Sequence, residues 1–329
     1  MLVKSQHLNP NLFIDSLEYI PIRKGFGEGL VEAGRDNKNI VALAADVTGS
    51  TQMAAFAKEF PERFIEIGVA EQNLVTVAAG LAAVGKIPFA TSYAAFSPGR
   101  NWEQIRTTVC LNEQPVKIVG SHAGLSVGAD GATHQMLEDI ALMRVLPHMT
   151  VVVPADVHEA RKATIALAKT KAPAYLRLAR EKTPVVTTEK TPFEIGRANI
   201  LREGHDVTVV ACGPLLYEAM LAARGLEEEG VSVEIINCAT IKPLDEKTIL
   251  ASVEKTGAVV TVEEAQASGG LGGVVAEMLA VHHPVPVSFV GIQDRFGQSG
   301  SITELWDSYG LSAPHITDAI ESVIKRKAH

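Results

Sequence analysis

The chain has no apolar stretch long enough to span a bilayer: the longest, residues 74–85, is twelve residues where about twenty are needed. Its N-terminus, MLVKSQHLNPNLFID, lacks the continuous apolar segment of a signal peptide, so a cytoplasmic, membrane-free protein is expected. Cysteine is scarce. Cys110, Cys212 and Cys238 are an odd set without a CxxC pair, each in an apolar context, and predict buried thiols in a reducing compartment rather than a disulfide framework. Positive charge is outnumbered, 30 Lys and Arg against 38 Asp and Glu for a net −8, which argues against general nucleic-acid binding but leaves room for a local basic pocket. Short repeats and low-complexity tracts are absent.

The 329 residues suggest about two domains. Area scaling predicts a folded surface of roughly 13,000 Å² against about 51,000 Å² unfolded, ample burial for independent folding. Val- and Ile-rich runs at 39–46, 64–68, 86–91, 116–122, 150–155 and 174–179 alternate with helix-like stretches, the grammar of a parallel sheet buried on both faces. The Thr- and Pro-bearing segment around 181–196 reads as a connection. Beyond it the pattern restarts: a strand at 206–214, a helix to 230, a strand at 231–238, a helix over 245–255 and a strand at 257–265. The expected fold class is α/β, two three-layer domains with mostly parallel sheets: residues 1–185, a linker at 186–195, and 196–329. The terminal KRKAH reads as a solvated tail.

Three tempting signatures fail on context. GLSVG (124–128) has the form of a nucleophile elbow, but the loop continues through GADGATH instead of entering a helix at once. SGGLGG (268–273) misses the dinucleotide spacing and predicts close helix packing, and GFGEGL (25–30) fails the same spacing. The informative stretch is 64–180. A strand leads into a helix starting near Ala70, placing Glu71 in the first turn ahead of a buried run. Burial raises and the helix N-terminus lowers the pKa of such a carboxylate. Tyr93 and Phe96 follow a strand end, where open parallel sheets present ligands. The strand at 116–122 ends on His122, and the glycine-rich loop carries Asp130 and His134 toward a helix expected from Thr133. Two imidazoles and a carboxylate converging on a cleft suit proton exchange with sugar hydroxyls. No metal-ligand set is recognised.

The segments GVAEQN, PFATSYAAF, SHAGLSVGADGATHQ, MRVLPHMTVVVPAD and LRLAR, in this order and spacing, resemble the C-terminal half of transketolase, with SH…GADGATHQ shared in similar form by 1-deoxyxylulose-5-phosphate synthase. The resemblance covers nearly the whole chain and implies thiamine diphosphate as cofactor. Glu71 matches the glutamate that hydrogen-bonds the aminopyrimidine and promotes loss of the thiazolium proton. Tyr93 and Phe96 match aromatics around the pyrimidine, while Asp46 and Val47 match the cofactor's neighbours at its bend. His122 and His134 match catalytic histidines beside the donor hydroxyls and carbonyl, and Asp130 a carboxylate reading stereochemistry. Arg23, Ser50 and Arg180 match the sugar-phosphate contacts. Gly99 stands where many transketolases have a third aromatic, leaving the wall to be completed otherwise or by Arg100.

The family's GDG with its downstream Asn pair, which holds the diphosphate and Mg2+ or Ca2+, is missing. Such a cation needs oxygen ligands. The resemblance therefore implies the second subunit of a split transketolase: a partner N-terminal subunit supplies that site in a dimer of heterodimers, acting on sugar phosphates. The alternatives are the beta subunit of a 2-oxo-acid dehydrogenase decarboxylase, a fragment-like deoxyxylulose phosphate synthase, and a non-catalytic partner-binding subunit.

Overall fold

The apolar runs of the first half become the strands Ile40–Ala44, Phe64–Glu66, Ile87–Tyr93, Lys117–Ser121, Thr150–Val152 and Ala174–Leu178 in a computed structural model that describes residues 1–327. From one edge they pair as Phe64–Glu66, Ile40–Ala44, Ile87–Tyr93, Lys117–Ser121, Ala174–Leu178 and Thr150–Val152, all parallel. Every residue of Ile40–Ala44, Lys117–Ser121 and Ala174–Leu178 is buried. Helices cover both faces, so these strands are mostly apolar instead of alternating, with Lys117 and Arg177 as buried charged exceptions. One face packs Phe26, Leu30, Phe56 and Phe89; the other packs Leu74, Val75, Ala78 and Ile118.

The glycines of GFGEGL lie on the helix Ile22–Asp36, seated against the helix Val157–Ala168. A Cβ on Gly25 would stand 1.9 Å from the Val157 carbonyl oxygen, so only a bare backbone permits this approach. Helix packing is what the motif serves.

The second half builds a five-stranded sheet in the order Val287–Ile292, Val259–Gln266, Val207–Ala211, Val233–Asn237 and Asn199–Arg202, parallel except for the last pair. Helices Leu216–Glu228, Glu246–Thr256, Leu271–His282 and Ala313–Lys327 accompany it. The SGGLGG turn opens the helix Leu271–His282, whose first amides, Leu271 and Gly272, each donate to the Glu263 carboxylate at 2.7 Å. This helix start is filled by a carboxylate of its own chain. Burial pushes the Glu263 carboxyl up to about 7 against those two hydrogen bonds.

The halves exchange segments. Thr240–Lys242 adds an antiparallel edge strand to the first sheet by pairing with Thr150–Val152. In return Val3 N–H donates to Leu201 O at 2.9 Å, and Leu12 enters the second core. Across the connecting stretch, Asp156 accepts from the Val186 amide at 2.9 Å and the Thr187 hydroxyl at 2.7 Å, so the start of that stretch is pinned and buried. One expectation is overturned in part: Lys325, Arg326 and Lys327 are solvent-exposed, but they form the last turn of the helix Ala313–Lys327, which Ile320 and Val323 anchor in the core. Ala328 and His329 lie outside the described residues. All three cysteines are buried and free. No helix among the described residues is long and apolar enough to cross a membrane. The accessible surface is 13,072 Å².

Candidate active site

Loops leaving the carboxyl ends of five parallel strands meet on one side of the first sheet, the ligand side of such folds. They carry Asp46, Val47 and Ser50 after Ile40–Ala44, Glu71 after Phe64–Glu66, Phe96 after Ile87–Tyr93, His122 after Lys117–Ser121, and Arg180 after Ala174–Leu178. Asp46, Val47, Val69, Glu71, Tyr93 and Phe96, with Arg100, line a cleft of about 470 Å³.

Glu71 is the first residue of the helix Glu71–Ala83 and only 5% exposed. Ser92 Oγ donates to its Oε1 at 3.2 Å, and Asn101 Nδ2 donates to its carbonyl at 2.8 Å. Beside it the Tyr93 ring stacks on His122 with centroids 3.9 Å apart, and Phe96 continues the wall 6.3 Å away at an interplanar angle of 21°. His134 meets the Phe96 ring edge-on at 5.5 Å. Tyr93 O–H donates to Ser50 Oγ at 3.0 Å.

The other end of the site is cationic. Arg23, on the first turn of Ile22–Asp36, donates through Nη1 to Ser50 O, while its buried Nε has no partner. Arg180 donates to Val127 O at 2.7 Å and lies 3.5 Å from Asp130 Oδ1. Burial and the nearby Arg180 charge lower the Arg23 pKa. The same burial, with Arg23, Arg180 and His134, pulls His122 down to about 3. His122 is therefore a neutral imidazole near pH 7, with Nδ1 2.8 Å from Ser121 Oγ. Two guanidiniums raise each other's electrostatic cost, which a bound anion relieves.

The loop differs from expectation at one point. No helix starts at Thr133: Leu125–Asp130 is a short 3-10 turn, the His134 and Gln135 amides turn back onto Gly131 O at 3.0 and 3.1 Å, and the helix begins only at Asp139. Ser126 sits in that turn, held by Glu264 and Ala123, and makes no nucleophile elbow. His134 Nδ1 lies 2.9 Å from Thr133 Oγ1.

Every residue expected in the site comes to this side of the sheet, in two groups: the aromatic cleft with Glu71, Asp46 and Val47, and the histidine–arginine end with Ser50 and Asp130. Sequence reasoning missed Ser92 and Asn101, which bracket Glu71, and Glu66. Glu66 accepts from the Asp46 amide at 2.7 Å, the Gly68 amide at 3.0 Å and the Thr48 hydroxyl at 2.9 Å, tying two cleft loops together. A cleft-end carboxylate on the edge strand was the available signal. At Gly99 a Cβ would lie 2.1 Å from the Ala95 carbonyl oxygen, so this turn admits no side chain, and Arg100 reaches the cleft instead. A buried carboxylate beside an aromatic wall fits a flat, nitrogen-bearing heterocycle. Among the described residues no three His, Cys, Asp or Glu side chains gather as a metal set.

Comparison with known proteins matches residues 18–185 to the transketolase pyrimidine binding domain and residues 196–316 to the transketolase C-terminal domain. A Methanocaldococcus jannaschii protein described as a transketolase C-terminal section is 46% identical over 94% of this chain and 98% of its own length. The 6-deoxy-6-sulfo-D-fructose transketolase subunit of Clostridium sp. is 41% identical over 93% of this chain and 95% of its own. A split-gene transketolase solved as an inactive β4 tetramer superposes with a TM-score of 0.88 at 45% identity, covering 94% of this chain and 99% of that one. The transketolase of Campylobacter jejuni, at 23% identity and a TM-score of 0.79, shares the fold over 96% of this chain and 49% of its own.

Proposed function

The chain belongs to the transketolase family, and we propose that it is one subunit of a thiamine-diphosphate-dependent transketolase that moves a two-carbon ketol unit between sugar phosphates. The observation that carries this reading is Glu71, a carboxylate 5% exposed on the wall of an aromatic cleft. Glu71, Tyr93 and Phe96 would hold the aminopyrimidine, with Asp46 and Val47 at the adjoining loop. When bound, thiamine diphosphate supplies a carbon nucleophile for cleaving and forming the bond beside a ketose carbonyl.

This chain's own groups then divide the work. Glu71, fixed by Ser92 through one oxygen, accepts from the pyrimidine ring and sets its protonation. His122, neutral and stacked on Tyr93, exchanges a hydrogen bond with a donor hydroxyl without carrying charge into the pocket. His134 faces the same space from the Phe96 edge and moves protons at the sugar oxygens. Arg23 and Arg180, with Ser50, clamp the phosphate, and Asp130 beside Arg180 reads the neighbouring hydroxyl.

The diphosphate and its Mg2+ or Ca2+ belong, in this reading, to an N-terminal subunit closing the open side of the cleft, in a cytoplasmic dimer of such pairs. Support comes from relatives named as subunits that align over nearly their whole length. The test mixes the purified chain with its N-terminal partner, thiamine diphosphate, Mg2+, a ketose phosphate and an aldose phosphate. Turnover is expected from the mixture alone, falling by about 10²- to 10⁴-fold in Glu71→Gln with partner binding intact. Full turnover by the single chain overturns the divided site, and activity that survives Glu71→Gln overturns the cofactor role.

A further inference from the structure

The loop bearing His122, Asp130 and His134 does not hold its shape alone. Residues 131–138 contain no helix, Gly124, Gly128 and Gly131 have positive φ, and His122 itself sits at φ 59°. Arg180 holds Val127 O from the first sheet, and further fixing points lie in the other half of the chain. Glu264, 2% exposed on the strand Val259–Gln266, accepts from the Ser126 amide at 2.7 Å through Oε1 and from the Ser126 hydroxyl at 3.0 Å through Oε2. Trp306 Nε1, from the helix Ile302–Ser308, donates to the same Oε1 at 2.8 Å. Gly124 runs so close that a Cβ there would stand 2.4 Å from Oε2. At the loop's far end Arg177 Nη2 bridges Met136 O at 3.2 Å and Glu264 O at 2.9 Å, and Gln135 Nε2 donates to Gln298 O at 3.0 Å.

We infer that Glu264 is a positioning residue: the C-terminal layer uses its carboxylate, braced by Trp306, as the template that fixes the substrate-binding loop 122–136. A buried carboxylate is a costly way to fill space, and replacing buried ionic groups by apolar ones is often neutral or stabilising. What this one adds is geometry, three donors drawn to two oxygens, two of them from the turn between His122 and Asp130. The clamp stands on the contacts themselves; only the identity of what the loop binds rests on the transketolase reading.

The experiment compares Glu264→Ala and Glu264→Gln, first in the chain alone by hydrogen exchange, then with the partner by kinetics. Gln keeps Oε1 for the Ser126 amide and Trp306 and turns an N–H toward Ser126 Oγ, so it preserves the template without the charge. In Glu264→Ala, exchange across residues 123–136 is expected to accelerate by about tenfold or more, the equivalent of one lost hydrogen bond to a charged group, with the strand Val207–Ala211 unaltered. kcat/KM for the ketose phosphate falls by about tenfold or more, with kcat falling as well because His122 and His134 ride on the same loop, and Glu264→Gln restores both. If Glu264→Ala does not fold, Trp306→Phe removes one donor, and a smaller acceleration confined to the same segment is expected. Unchanged exchange at 123–136, equal loosening of the second sheet, or a Gln variant behaving as Ala overturns the inference. A wild-type pair without ketol transfer defeats the proposed function, and the exchange result still decides the clamp.

Discussion

Adding one methyl group at Gly25 sets two effects against each other, and the structure decides the winner. In a helix interior, Gly→Ala stabilises by about 1 kcal/mol through backbone entropy. At Gly25 the new Cβ would lie 1.9 Å from Val157 O and 2.8 Å from its carbonyl carbon. Both are backbone atoms of the helix Val157–Ala168, so no rotamer relieves the clash and the helices must separate by about 1.5 Å to reach an ordinary contact. Overpacking of this kind costs about 1–3 kcal/mol or more, and a rigid backbone obstacle puts Gly25→Ala at the upper end, a net loss of about 2 kcal/mol. Gly225, on the exposed face of the helix Leu216–Glu228 with nothing within 4 Å of its Cβ, is the control, and Gly225→Ala should gain about 0.5–1 kcal/mol. Thermal melts should move in opposite directions, with Gly25→Ala lower by about 3–5 °C. The displacement also reaches the site, because Arg23 projects from the same helix two residues earlier and holds Ser50. An ångström of misplacement can cost about 100-fold, so with the partner present KM for a phosphorylated donor should rise while that for an unphosphorylated ketose does not. Equal melting of the two variants, or an unchanged KM in Gly25→Ala, refutes the argument.

Acidification tests His122. Its folded pKa is about 3 against an ordinary 6.5, so between these values the unfolded chain takes a proton that the folded chain refuses. Stability should fall as pH drops below 6.5, by up to about 1.4 kcal/mol per pH unit from this group. His122→Asn, tolerated at φ 59°, should remove that part of the slope in urea unfolding at successive pH values; parallel slopes refute it. Arg177→Met strips Asp139, fully buried, of an ion pair at 2.8 Å and should cost about 3–5 kcal/mol in the same assay. A loss below about 1 kcal/mol shows that Tyr175 O–H, 2.6 Å from the same carboxylate oxygen, suffices alone.

What can be seen in the sequence depends on how far apart in the chain the deciding contacts lie. The strands are legible because burial on both faces makes most of them largely apolar runs, and Glu71 is legible because the strand before it and the helix after it are adjacent in sequence. The stretch from Thr133 has helical composition, yet it cannot wind. Met136 is paired with Ala123 in an isolated bridge, its carbonyl is taken by the Gly124 amide at 2.9 Å, and the Gln135 side chain is spent on Leu125, Gly128 and Gln298. Those partners override local propensity. Lys325, Arg326 and Lys327 look like a tail for the converse reason: their charges are visible locally, but the buried Ile320 and Val323 and the bond from Arg326 to Val287 O act from across the fold. Glu264 is the extreme case, 138 residues from the serine it holds and on a buried strand beside a second glutamate, Glu263, that serves a different helix. Most of the candidate cleft residues stand at or just past strand ends, where local pattern betrays them. Residues that hold those groups in place need only be near in space, so the C-terminal layer's part in the site becomes visible only once both sheets are built.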